Sequence, residues 1–121
     1  YLIDMNSGDH LWMIANADTP DNIKNHPLLE GVDIPRTGIP TRAGVLLTKE
    51  LLFVAEGTGG VGASPIFRAV DKATGDIVAD IDLPANQGGI PFTYEAGGTQ
   101  YVAMFVTSGS SAAELIAYAL P

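Results

Sequence analysis

A glycine-rich segment, residues 57–62, is where residue types and spacing come nearest to a known chemical motif. Gly57-Thr58-Gly59-Gly60-Val61-Gly62 matches Gly-x-Gly-x-x-Gly and follows an apolar stretch. Such a loop binds a dinucleotide pyrophosphate when a helix begins directly after it, because the first N–H groups of that helix contact the phosphates. Residues 63–67 read Ala-Ser-Pro-Ile-Phe, which predicts a strand. The sequence therefore argues against a nucleotide site here.

Side chains that act as nucleophiles or metal ligands are few. The chain has no Cys, so it has no disulfide, no zinc–thiolate site and no thiol nucleophile. His10 and His26 are not at metal-ligand spacing. Serines cluster at Ser108, Ser110 and Ser111, but without the Gly-x-Ser-x-Gly elbow that presents a serine nucleophile. The residues alone predict neither a catalytic triad nor a metal centre.

Composition limits the classes of protein and partner. The 121 residues hold 6 Lys+Arg and 14 Asp+Glu, a net charge of −8, and 46% are hydrophobic. These values are typical of a globular domain and disfavour nucleic acid or an anionic membrane as the partner, because phosphate binding needs clustered cations. Fourteen Gly and eight Pro predict many turns and few long helices.

Two tight turns repeat along the chain. Residues 4–8 and 71–75 share the pattern Asp-x-x-Ser/Thr-Gly, each after a short apolar stretch. The Asp carboxylate accepts backbone N–H bonds within such a turn, and Gly supplies the positive φ that closes it. In the strand after the second turn, alternation predicts one apolar face of Ile77, Ala79, Ile81 and Leu83. The acids that alternate with them, Asp76, Asp80 and Asp82, are expected on a solvated edge.

A longer repeat predicts the architecture. Gly38-Ile39-Pro40 and Gly89-Ile90-Pro91 each precede a long apolar strand, residues 51–55 or 101–106. Together with the turns this gives a four-stranded antiparallel meander of about fifty residues, the blade of a β-propeller. The fold class is therefore all-β, a partial propeller of about two and a half blades with one short helical insertion. We expect the end of one blade at 1–15, the insertion at 16–38, a full blade at 39–88 and an incomplete last blade at 89–121.

Within the insertion, Thr19 is expected to cap a helix that begins at Pro20. The meander places the short turns, 71–75 and 95–98, on one face of the propeller. It places the longer loops, 56–64, 84–91 and 107–113, and the end of the 16–38 insertion on the other. Since long loops on a rigid scaffold usually hold ligands, any binding site is expected on this second face.

Several motifs together resemble the pyrroloquinoline-quinone (PQQ) dehydrogenases, a family of eight-bladed quinoproteins. Their docking motif, Ala-x-Asp-x-x-Thr-Gly-x-x-x-Trp, occurs at 69–79 with Ala79 in place of Trp, and the copy at 4–12 keeps Trp12. The remaining matches are to the glucose-dehydrogenase branch, in its inserted segment and last blade: residues 19–27, 81–85, 91–95, 100–102 and 116–121.

The resemblance implies a periplasmic enzyme that oxidises a sugar or alcohol with PQQ and Ca²⁺ and passes electrons to a quinone or cytochrome. The catalytic base and the calcium ligands of that family belong to blades upstream, so no residue here takes those roles. Arg42 and Thr41 are candidates to contact the PQQ carboxylates. Ser108, Gly109 and Ser110 are candidates for a substrate-side loop, although that loop lacks the His found in the glucose branch.

A second function stays open beside the dehydrogenase fragment. The missing His and the loss of Trp at Ala79 suit a non-catalytic propeller that acts as a scaffold in periplasmic or outer-membrane protein assembly. For either function, the expected partners include the missing propeller blades, or a second copy that associates through open strand edges.

Overall fold

The computed structural model describes residues 1–57, 64–108 and 112–120, which form three antiparallel sheets with almost no helix. This confirms the all-β fold of partial propeller blades. The strands are β1 Leu2–Ile3, β2 His10–Trp12, β3 Val45–Leu47, β4 Leu51–Ala55, β5 Ile66–Asp71, β6 Ile77–Asp82, β7 Asn86–Gln87, β8 Phe92–Ala96, β9 Thr99–Thr107 and β10 Glu114–Ala119. The helical pieces are α1 Asp21–Lys24 and a 3-10 turn Pro27–Leu29. No helix among the described residues is long and apolar enough to span a membrane.

The middle sheet is a four-stranded meander in the order β3-β4-β5-β6. Phe53 pairs with Leu46 on one side and Ala69 on the other, so their side chains share one face of the sheet. A bulge interrupts the last pair of strands, because Ala69 pairs with Ala79 whereas Val70 pairs with Ile77. The expectation that Ile77 shares a face with Ala79 was therefore wrong, since the extra residue moves Ile77 to the opposite face.

The third sheet has β9 at its centre, with β10 on one side and both β7 and β8 on the other. β7 and β8 act as one broken strand: Gln87 pairs with Val106, and Phe92 pairs with Ala103. Pro91, which has no N–H to donate, lies in the break between them. The segment 84–91, expected as a loop, thus contains a short strand.

The hydrophobic core lies between the middle and third sheets. Phe67 and Met104 are almost completely buried there, and Phe53 stacks on Phe67 with ring centroids 5.6 Å apart. The alternate residues of β9, Val102, Met104 and Val106, all point into this core. Fully burying a side chain of this size stabilises the fold by about 1.5–3 kcal/mol. The long apolar strand predicted at 101–106 therefore supplies most of the side chains that the third sheet contributes to the hydrophobic core.

The first sheet is a hairpin of β1 and β2, attached to the middle sheet by Trp12. The indole Nε1–H donates to the carbonyl of Lys72 at 2.9 Å, and the ring lies against Gly75. Gly75 closes the 71–75 turn with φ +83°, and its N–H donates to the carbonyl of Asp71 at 2.9 Å. The turn at 4–8 is built in the same way, with Gly8 donating to Asp4 at 2.7 Å. The structure thus has the turn geometry that the sequence predicts.

The contact between Gly75 and Trp12 generates a testable prediction. A Cβ at Gly75 would lie 2.9 Å from the indole, whereas a Cβ at Gly8, with φ +80°, would meet nothing within 4 Å. Gly8→Ala should therefore cost only backbone strain, about 1–2 kcal/mol. Gly75→Ala should cost about 1–3 kcal/mol more, because the indole has to move. Urea unfolding of both variants at one protein concentration measures the difference, and equal losses would contradict the Trp12 contact.

Candidate functional site

A pocket of about 700 Å³ opens at the end of the middle sheet where β4 finishes and β3 and β5 begin. One wall comes from the insertion, and the other comes from the segments that flank the strands. Its lining residues are Ala17, Asp18, Thr19, Pro20, Asp21, Asn22, Lys24, Ile39, Pro40, Thr41, Arg42, Glu56, Gly57 and Ser64. The pocket is therefore at the sheet end opposite the 71–75 turn.

The two ends of the insertion are hydrogen-bonded to each other where the chain leaves and rejoins the sheet. The N–H of Ile39 donates to the carbonyl of Asn16 at 3.0 Å, and the side-chain amide of Asn16 donates to the carbonyl of Ala55 at 2.8 Å. Gly38 has φ +70°, and a Cβ there would lie 2.6 Å from the carbonyl oxygen of Asn16. Only glycine fits that approach, so Gly38 fixes the point where the chain returns to the sheet.

Thr19 joins the two halves of the insertion instead of capping its helix. Its hydroxyl accepts from the N–H of Thr37 at 3.0 Å and donates to the carbonyl of Pro35 at 3.3 Å. Helix α1 begins one residue later than expected, with Pro20 at the N-cap and no side-chain cap. The predicted capping role of Thr19 was therefore wrong, because its buried hydroxyl is used across the insertion. The pocket wall is held in shape by this bridge.

Glu56, directly after β4, is the buried carboxylate of the pocket. Its Oε1 accepts from Nη2 of Arg68 at 2.6 Å and from Nη2 of Arg36 at 3.5 Å. Arg36 belongs to the insertion and also donates from Nε to the carbonyl of Ala17 at 2.6 Å. Glu56 thus connects the insertion electrostatically to the interior of the middle sheet.

Arg68 is the centre of this charge network. It is almost completely buried in β5, where it is opposite Asp80 of β6. Its Nε and Nη2 donate to the two carboxylate oxygens of Asp80 at 2.8 and 2.9 Å, a bidentate pair. Nη1 has no hydrogen-bond partner within the described part of the chain. Asp80 is exposed on the edge strand β6, as expected for a solvated edge, and its carboxylate also pairs with the buried guanidinium of Arg68.

The network shifts the titration of its members. The hydrogen bond from Arg68 lowers the pKa of Asp80, although partial burial opposes this. The hydrogen bonds to Asp80 and then Glu56 raise the pKa of Arg68 against the effect of burial. The two positive charges of the network, on Arg36 and Arg68, balance the two negative charges on its carboxylates. The network as a whole therefore has no net charge. Neutral pairing is the condition under which such charges tolerate burial.

The structure places both predicted cofactor residues, Thr41 and Arg42, in the pocket wall. The Thr41 hydroxyl accepts from the N–H of Ala43 at 3.1 Å. Arg42 is exposed and makes no hydrogen bond or ion pair within the described residues, whereas Lys24 at the rim pairs with Asp18 at 2.6 Å. Arg42 therefore has guanidinium donors free for an incoming carboxylate, which is the chemistry that a planar fork of N–H groups suits best.

The predicted substrate-side loop is not part of this pocket. Ser108 is exposed after β9 and does not line the cavity, and Gly109 and Ser110 lie outside the described residues. In the portions of the chain that are described, no three His, Cys, Asp or Glu side chains come together as metal ligands. The residues present therefore do not fit a calcium site, but Arg42 and Thr41 fit a carboxylate-bearing cofactor such as PQQ.

Sequence reasoning missed Glu56, Arg68 and Asp80 as a set. One signal was present: Arg68 is a lone charge inside the apolar strand Ile66-Phe67-Arg68-Ala69-Val70. A charge in that position is almost never buried without a partner, so it indicates a buried ion pair. The identity of the partners depends on strand register, which the sequence alone did not give.

The lowered pKa of Asp80 predicts how the stability of the fold depends on pH. Because the folded state holds the carboxylate ionised, its stabilising effect is complete above the ordinary pKa of Asp and is lost as the pH falls below about 4. The difference in unfolding free energy between the native chain and Asp80→Asn should therefore be largest near pH 6 and shrink towards pH 3. Denaturant titrations across that range measure it.

Asp18→Asn is the matched control for Asp80→Asn. Asp18 also has a lowered pKa, caused first by its hydrogen bond from Lys24, but both partners are solvent-exposed. Its effect should have the same direction and be smaller, because exposed ion pairs contribute little. A difference for Asp80→Asn that does not change with pH would contradict the assignment.

Comparison with known proteins identifies the family of the chain. The profile of the family described as "PQQ: Glucose/ethanol/alcohol dehydrogenase, beta-propeller domain" matches residues 1–102. The chain is also similar to two glycerol dehydrogenase large subunits, from Gluconobacter thailandicus and Gluconobacter oxydans (strain 621H). It is 35% identical to each over 91 residues, which cover 69% of the chain. No solved structure matches the chain.

The matched stretch spans only a small part of these relatives, 12% of the first and 11% of the second. The family match, in contrast, extends through the hairpin, the insertion, the middle sheet and the start of the third sheet. Most of the described structure is thus covered by one family. The chain belongs to the PQQ-dependent glucose/ethanol/alcohol dehydrogenases, within their β-propeller domain.

Proposed function

We propose that this chain acts as the C-terminal blades of a longer PQQ-dependent dehydrogenase that oxidises a sugar or an alcohol. The family match over residues 1–102 is the observation that carries the proposal. The curated relatives are named glycerol dehydrogenase large subunits, which favours a polyol as the substrate class. The electron acceptor in this proposal is a quinone or a cytochrome, and the compartment is the periplasm.

When bound, PQQ supplies the two-electron acceptor for the oxidation, and the chain supplies part of its surroundings. Arg42 donates N–H groups to a carboxylate of the cofactor, which matches its free guanidinium in the pocket wall. Glu56 makes no ion pair with Arg42 in the described part of the chain, and its Oε1 accepts from Arg68 and Arg36 instead. The insertion covers the pocket from one side and limits the access of water.

The calcium ion and the catalytic base of the proposed enzyme belong to other parts of the longer polypeptide. This division follows from the resemblance alone. The role proposed for this chain is therefore to bind and orient the cofactor, not to remove the substrate proton.

Reconstitution of the longer protein with PQQ and Ca²⁺ tests this role through dye reduction with glycerol or glucose. Arg42→Gln should weaken PQQ binding by about 10- to 100-fold, because a hydrogen bond to a charged group contributes about 1.5–3 kcal/mol. Lys49→Gln is the matched control, since it removes the same charge from the turn between β3 and β4, away from the pocket. Equal affinities for both variants would refute the role of Arg42.

The dehydrogenase itself is tested separately from Arg42. If the longer protein neither binds PQQ nor reduces the dye, the proposal that it is a dehydrogenase is wrong. If that protein also co-purified with an envelope protein at fixed stoichiometry, the scaffold function would take its place.

A further inference from the structure

Gln87, in β7, is completely buried, although glutamine is mostly an exposed residue in folded proteins. Its Nε2 donates to the carbonyl of Gly89 at 2.6 Å and to the carbonyl of Gly44 at 3.2 Å. Burying an amide is unfavourable unless it is hydrogen-bonded, so these two bonds stabilise the side chain in its place. Because Gly44 directly precedes β3, Gln87 links the third sheet to the first strand of the middle sheet.

The orientation of the Gln87 amide follows from its neighbours. Two carbonyl oxygens face Nε2, and exchanging the nitrogen with the oxygen would bring three acceptors together. Oε1 has no hydrogen-bond partner within residues 1–57, 64–108 and 112–120. In these segments the side chain therefore acts as a donor, and its polar contacts are with Gly44 and Gly89.

The position of Gln87 is itself fixed by β9. Gln87 pairs with Val106, and the N–H of the next residue, Gly88, donates to the carbonyl of Phe105 at 2.8 Å. Val106 is part of the hydrophobic core. The amide that reaches Gly44 is thus attached to a strand whose place is determined by core packing.

The segment that receives this hydrogen bond forms one wall of the pocket. Residues 40–44 lie in neither helix nor strand, and two of them, Thr41 and Arg42, line the pocket. An irregular segment has to satisfy its backbone groups outside a helix or a sheet ladder, so its position depends on contacts of this kind. The fit at Gly44 is close, because a Cβ there would lie 2.9 Å from Cα of Ile90. The third sheet therefore contacts the backbone of the wall directly.

The contact at Gly44 is transmitted to Arg42 through one residue. Ala43 packs against the hydrophobic core, and its N–H donates to the hydroxyl of Thr41 at 3.1 Å. A displacement of Gly44 therefore moves the backbone from which the Arg42 side chain extends. Gln87 does not line the pocket, so its effect on a ligand has to pass through that backbone.

We propose that Gln87 is a positioning residue of the pocket: it holds the wall at Gly44 so that Arg42 meets a carboxylate of the ligand in the correct place. The inference rests on the proposed function, in which Arg42 donates to a carboxylate of the cofactor. Position matters for a guanidinium, since its planar fork of N–H groups binds a carboxylate in a defined orientation.

The affinity of the longer protein for PQQ, measured in two backgrounds, tests this role. Gln87→Met keeps the length of the side chain and removes both donors, so it should weaken PQQ binding by about tenfold. In an Arg42→Gln background the same substitution should have almost no effect, because the group through which Gln87 acts is already absent. Unchanged affinity after Gln87→Met, or an equal loss in both backgrounds, would overturn the proposal.

Val102→Ala is the control for a loss of stability alone. Val102 is buried in the same sheet and does not line the pocket, so its truncation should lower the melting temperature and leave the affinity for PQQ unchanged. If it weakened PQQ binding as much as Gln87→Met does, the role of Gln87 would be refuted. If Gln87→Met gives no soluble protein, Gln87→Asn, whose amide is one methylene shorter, takes its place in every comparison.

Limited digestion of the longer protein with trypsin gives a measurement that does not use PQQ. Trypsin cleaves after Arg42 only when the segment around it leaves its place, because a protease acts on locally opened chain. Gln87→Met should therefore speed cleavage after Arg42 severalfold and leave cleavage after Lys49, in the turn between β3 and β4, unchanged.

The two proposals can fail separately. A longer protein that binds no PQQ but is cleaved faster after Arg42 when Gln87 is replaced would keep the positioning of the wall and lose the proposed function. Equal rates of cleavage after Arg42 with and without the substitution would overturn the positioning, whether or not the protein is a dehydrogenase.

Discussion

Stacking of one sheet on the next is the interaction on which the rest of this structure depends. The core residues Phe53, Phe67 and Met104 come from two different sheets, so neither sheet buries its apolar side chains without the other. The hairpin of β1 and β2 is shorter still, and a two-stranded hairpin is marginal by itself in water. Its attachment through Trp12 explains how so small a sheet keeps a defined place.

The pocket follows from the sheet as well. The strands of the middle sheet leave loops and backbone groups at one end of the sheet, and the insertion covers that end. Arg68, in the interior strand β5, reaches Glu56 at the end of β4 and Asp80 in β6, so one side chain ties three strands together. Removing Arg68 costs about 3–5 kcal/mol, because the buried Glu56 carboxylate would keep only the longer contact with Arg36. The pocket wall thus depends on electrostatics that are satisfied before any ligand enters.

Local patterns predicted the local features correctly. The turns at 4–8 and 71–75 form as expected, because an Asp side chain and a Gly with positive φ specify them without help from distant residues. Features decided by packing between strands were not predictable in the same way. The bulge that turns Ile77 away from Ala79 depends on how β6 fits β5, and the placement of Thr19 depends on Pro35 and Thr37. Arg42 was singled out through family resemblance, yet the wall opposite it exists only because the insertion folds back.

The closed base of the insertion has a consequence for how such proteins diversify. Its two ends meet at the hydrogen bond between Ile39 and Asn16, and Arg36 adds an ion pair to Glu56, so these contacts and not the length of chain between them attach the insertion to the sheet. Doubling the length of a loop with fixed ends costs only about 0.6 kcal/mol of chain entropy. The residues between 20 and 34 can therefore vary in number and type, which alters one side of the pocket while the contacts of Thr19 and Arg36 and the register of the strands are kept.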